Sequence, residues 1–101
     1  MIALGKYSFE GPIVETKNLE DRSGIYAILD SYNNSYTVID IGESSEVKTR
    51  IENHDRRTDW NRTVNGIITF AVLYTPYYDQ IQRIRIEQEL RAKYKPTCGE
   101  R

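Results

Sequence analysis

The chain has one cysteine, one histidine, three prolines and almost no net charge, and each scarcity removes a class of protein. A lone Cys98 cannot close an internal disulfide. One histidine with one cysteine leaves a structural zinc site short of ligands, so a bound metal is expected on oxygen. No apolar run approaches the roughly 20 residues of a membrane span. Lys6, Glu10 and Pro12 interrupt anything resembling a signal peptide, which gives the expectation of a cytoplasmic chain with no membrane partner. A formal net charge of −1 with a pI near 5.8 excludes a general polyanion binder of the histone kind.

What is present is 101 residues, 39% hydrophobic and 29% charged, which reads as one small domain, 1–101, with a core near the lower limit for independent stability. Residues 1–21 are a weakly patterned lead-in broken by Gly5, Gly11 and Pro12, the core spans about 22–95, and 96–101 form a tail. From Gly24 to Asp30, Ile25, Ala27 and Leu29 alternate with Tyr26, Ile28 and Asp30, as a strand requires. Ser31–Ser35, with two asparagines, makes a turn, and Tyr36–Ile41 pairs back as a hairpin that Gly42 ends. Ser44 or Ser45 then caps a helix to about His54, placing Val47, Arg50, Ile51 and His54 in one arc. Thr58 or Asp59 caps a further short turn through Trp60. Ile67–Tyr74 is the clearest strand, and Tyr78–Tyr94 a helix stopped before Pro96. The expected fold class is therefore α+β, a three-stranded antiparallel sheet flanked by helices in the order β-β-α-β-α.

Two stretches carry chemistry. Lys48, Arg50, Arg56, Arg57 and Arg62, interleaved with His54 and Trp60, form a basic segment that could meet a phosphate backbone and stack on a base; read blandly, it is a solvated helix end balanced by Glu52, Asp55 and Asp59. Glu87 lies near the middle of an apolar helical arc of Tyr77, Ile81, Ile84, Ile86, Leu90 and Tyr94. A carboxylate there is costly unless it binds a metal or pairs with Arg50 or Arg91.

The tripeptides Gly24-Ile25-Tyr26 and Asp40-Ile41-Gly42, followed by Arg50, His54 and Glu87, resemble the GIY-YIG nuclease superfamily over roughly Gly24 to Tyr94. Tyr26 matches the tyrosine of the first motif, and Ile41 and Gly42 the end of the second, with Ser44 after it. Arg50 matches the arginine of the first helix, His54 the residue one turn later, and Glu87 the metal-binding glutamate. Pro96 and Gly99 fall where a C-terminal loop, often bearing asparagine, closes the site; here that asparagine is missing. The resemblance implies a metal-dependent endonuclease that hydrolyses phosphodiester bonds in DNA. Glu87 would hold Mg2+ or Mn2+, Arg50 would clamp the phosphate, and Tyr26 and His54 would orient or deprotonate the attacking water.

Asp40 stands where the family places a tyrosine. It could serve as general base or second metal ligand, mark a nucleic-acid-binding module that no longer cuts, or simply cap a helix or pair with Arg50. Tyr36 shares its strand face but lies too far along the strand to substitute. With no separate DNA-reading element, targeting is expected from the loops, a homodimer or a partner protein.

Overall fold

Asn33 and Asn34 take φ angles of 51° and 62°, the left-handed pair that a tight two-residue hairpin needs, and asparagine accepts this conformation more readily than other residues with side chains. They join the two longest strands of the computed structural model, which describes residues 1–99. The strands are Ile2–Leu4 (β1), Tyr7–Ile13 (β2), Gly24–Tyr32 (β3), Ser35–Ser44 (β4) and Ile67–Tyr74 (β5). The helices are Val47–Glu52 (α1), Arg57–Thr63 (α2) and Gln80–Tyr94 (α3), and Thr16–Asn18 form a single 3-10 turn.

All pairings are antiparallel, in the order β1-β2-β5-β3-β4. The expected three-stranded sheet in the order β-β-α-β-α is therefore wrong: the sheet has five strands, and two of them precede the first tripeptide. Residues 2–13 are a hairpin rather than a lead-in, anchored by Leu4 and Phe9, which are buried. Gly5, read as a breaker, supplies the turn with φ 58°. Gly11, a second, lets β2 lie against the backbone of Phe70 and Ala71, and Pro12, the third, lies within the same strand.

Both faces of the sheet are covered. Tyr26, Ile28, Ile39, Phe70 and Val72 pack under Val47 and Ile51 of α1 and Trp60 of α2. Ile25, Ala27, Leu29, Ile41 and Ala71 pack with Leu4 and Phe9 under Ile86 and Leu90 of α3. This explains why Gly24–Asp30 are buried without exception. β4 carries one extra residue between its partners of Ile28 and Leu29, a bulge at Ile39. The bulge reverses the alternation, so Asp40 shares a face with its partner Ile28 while Tyr36 sits opposite Ser31 on the other side, contrary to expectation.

Helix boundaries also moved. β4 continues through Gly42 to Ser44, and α1 starts at Val47 with no side-chain cap from Ser44 or Ser45. Its first turn is held from a distance: the Asp21 carboxylate accepts from the Thr49 backbone N–H at 2.9 Å and from the Thr49 hydroxyl at 2.6 Å. These bonds draw the Asp21 carboxyl below its ordinary value. In α3, Asp79 and Gln82 form a reciprocal capping box. The buried stripe of α3 is Arg83, Ile86, Leu90 and Arg91, whereas Ile81 and Tyr77 of the expected apolar arc are exposed. Two arginines can lie in the interior because β4 supplies a carboxylate for each. Among the described residues no helix is long and apolar enough to cross a membrane.

Candidate functional site

The two tripeptides meet across β3 and β4. Tyr26 pairs with Gly42, Ile25 with Glu43 and Ile28 with Asp40. The Tyr26 ring lies directly over Gly42, where a Cβ would collide with the phenol, so the glycine of one motif is the seat for the tyrosine of the other. Tyr26 is 1% exposed. Burial pushes its hydroxyl up to about 12, although the Arg50 guanidinium beside it pulls the other way. At neutral pH this phenol keeps its proton, and it can donate a hydrogen bond but not act as a base.

Asp40 is fully buried. Arg56 grips it with two bonds, Nε to Oδ2 at 2.8 Å and Nη2 to Oδ1 at 3.2 Å. The Trp60 indole N–H donates to Oδ2 at 2.7 Å, and Arg91 Nη2 closes on Oδ1. Arg91 Nη2 also donates to the Ile41 carbonyl at 2.6 Å, and its Nη1 to the Cys98 carbonyl at 3.3 Å. Both carboxylate oxygens are thus taken by cationic or N–H donors and screened from water. Asp40 is neither a general base nor a metal ligand here, and its partners are Arg56 and Arg91, not Arg50. It ties β4, α2 and α3 together, and Gly99 packs against all three charged groups.

His54 is buried beside Tyr26 and Trp60, with ring centroids 6.0 and 4.7 Å away. Its Nδ1 accepts the Arg56 backbone N–H at 3.0 Å, so the neutral ring carries its proton on Nε2. The Asp55 carboxylate 3.2 Å from Nδ1 is then not an ion-pair partner. Nε2 has no hydrogen-bond partner among the described residues. Burial, and then Arg50 and Arg56, push the imidazole down to about 4. The expected proton acceptor is therefore a neutral ring that fixes the turn between α1 and α2 by accepting the Arg56 backbone N–H at Nδ1.

This has a pH consequence. The unfolded chain binds a proton at His54 between its ordinary value near 6.5 and about 4, while the folded chain does not. Stability from this group is present above pH 6.5 and is lost as pH falls through that window. Glu87, whose raised value works in the opposite sense, offsets part of the loss close to its own titration. Urea midpoints measured from pH 7.5 to 4.5 should fall for wild type and flatten in His54→Gln; equal slopes in the two proteins rule the effect out.

Arg50 is exposed at the end of α1, 3.5 Å from Asp55. Glu87 is half-buried on α3, its carboxyl raised by burial, with Arg91 at 3.9 Å opposing and the nearby Glu43 carboxylate adding to the rise. Glu43 itself pairs with Arg83 at 3.0 Å. Among the described residues no cluster of three His, Cys, Asp or Glu side chains is placed to hold a metal. The two carboxylates on this side, Glu87 and Glu43, do not make a cage of protein ligands for an ion, and Glu43 is engaged by Arg83.

The basic segment is less available than its sequence suggests. Trp60 is core, Arg56 is bound to Asp40, and Arg57 Nη1 donates to the Glu52 carbonyl at 3.0 Å. Arg62 is exposed and Lys48 half-buried. A lone tryptophan in a charged stretch was the available signal that this segment folds over a core. Compared with known proteins, the chain matches no family model, no curated protein and no solved structure.

Proposed function

We propose that this chain is a GIY-YIG-type endonuclease acting on the phosphodiester backbone of DNA with the help of a divalent cation, Mg2+ or Mn2+, in the cytoplasm. One observation carries the reading: Tyr26 of β3 and Glu87 of α3 both feel the charges of the Asp40–Arg56 pair, and Arg50 of α1 stands by Tyr26. Arg50, exposed and always cationic, takes a nonbridging phosphate oxygen. Glu87 would hold the cation, which supplies charge neutralisation at the leaving oxygen.

A second reading, nucleic-acid binding without cleavage, is favoured by one specific feature: Tyr26, Asp40 and His54, the three candidates for proton transfer, are all withdrawn from solvent. Plasmid nicking in magnesium or manganese separates the two. The endonuclease reading expects metal-dependent product that drops by about 100-fold or more in Glu87→Gln and in Arg50→Ala. Salt-sensitive DNA binding with no product in wild type establishes the binding module instead. Nicking that survives Glu87→Gln places the chemistry elsewhere.

A further inference from the structure

Arg56 is the cation that both halves of the site share, as Asp40 is the shared anion. Arg56 acts on Tyr26 and His54 on one side and on Glu87 on the other, while Arg50 acts on the same Tyr26 and His54. The two arginines converge on His54: Arg50 Nη2 lies 3.5 Å from the Asp55 carboxylate, which is itself 3.2 Å from the imidazole, and the Arg56 backbone N–H donates to that ring at 3.0 Å. Arg56 differs from Arg50 in how it is held. Its Nε and Nη2 are occupied by Asp40, its backbone N–H by His54, and Nη1 has no hydrogen-bond partner among the described residues. The side chain is 26% exposed although its carboxylate partner is fully buried. Asp40 cannot cancel this cation alone, because Arg91 draws on the same carboxylate. An arginine already immobilised by a bidentate pair loses little rotamer freedom when it takes a second ligand.

We propose that Asp40 is a positioning residue that presents Arg56 as the second arginine of a phosphate clamp, with Arg50 as the first, and that the clamp's ligand is a backbone phosphate of a nucleic-acid strand. The inference rests on the nucleic-acid reading above and adds to it the residue that replaces the family tyrosine. Aspartate at this position does not take over the tyrosine's task; it fixes a cation in the site.

The test is the salt dependence of binding of a fluorescent thymidine oligonucleotide of about fifteen nucleotides. Arg50→Gln and Arg56→Gln should each lower the slope of log affinity against log salt by about 0.7 and weaken binding about tenfold. Asp40→Asn is the discriminating variant. It adds one unit of positive charge and keeps both arginines, so long-range electrostatics alone strengthens binding, whereas loss of positioning weakens it as much as Arg56→Gln does. Where Asp40→Asn does not fold, Trp60→Phe carries the test, since it keeps every charge and removes one donor from Asp40; a smaller loss in the same direction is expected. An unchanged slope in Arg56→Gln, or tighter binding by Asp40→Asn, overturns the clamp and leaves the nucleic-acid reading standing. No binding by wild type removes both.

Discussion

Asp40→Ala should destabilise the fold by about 3–5 kcal/mol, because it strands two arginines that the rest of the structure has already taken out of water. Arg91 is buried and Arg56 partly so, and the carboxylate between them accepts from both and from the Trp60 indole. Removing one partner of a buried charge cluster leaves the others desolvated without compensation. A domain of this size has about 5–15 kcal/mol in total, so the variant is expected to be largely unfolded at 37 °C. The measurement is the urea midpoint by circular dichroism, with Glu87→Gln as the comparison. Glu87 touches the cluster only through Arg91 at 3.9 Å and keeps partial contact with solvent, so its neutral isostere should cost little. A catalytic carboxylate behaves in the reverse way, since removing it abolishes turnover and spares the fold. An Asp40→Ala protein as stable as wild type would show that the cluster contributes nothing.

Gly42→Ala should be the second most damaging change, at about 3 kcal/mol, for a steric reason that glycine's backbone freedom does not enter. The Cβ would occupy the position of the Tyr26 ring, and neither neighbour can move far, since β3 is hydrogen-bonded on both sides and the tyrosine is enclosed by α1 and α2. Shortening Tyr26 should recover part of the loss. Tyr26→Ala costs stability through its own cavity, and the double variant Tyr26→Ala with Gly42→Ala should cost well under the sum of the two single penalties. Additive penalties in that cycle would mean that the two motifs do not bear on each other.

This coupling shows what could be read from the chain alone. The hairpin, its Asn33-Asn34 turn, the buried strand at Ile67–Tyr74 and the long final helix carry strong local patterns, and their positions followed from period and turn chemistry. The first hairpin did not, because Leu4, Phe9 and Ile13 are interrupted by glycines that look like breakers until β5 is there to pair with. Nor could the cap of α1 be found nearby, since Asp21 reaches it across 28 residues. The site divides in the same way. Residue types and order singled out Tyr26, Arg50 and Glu87, but the fate of Asp40 depended on partners 16, 20 and 51 residues away. A one-dimensional pattern reports that charges exist, not which of them cancel. The bulge at Ile39 added a further shift, moving Asp40 to the opposite sheet face from Tyr36.

The segment after α3 has one more role. The Cys98 N–H donates to the Ile39 carbonyl at 2.8 Å, and Arg91 occupies the Ile41 carbonyl, on the side of β4 that no strand covers. Arg91 and Cys98 thus stitch the end of α3 and the residues after it along the border of the sheet like a hem. A fusion partner pulling on that end, or a shortened chain lacking it, bares the Ile39 carbonyl on the open border of β4, the kind of selvage to which neighbouring molecules adhere.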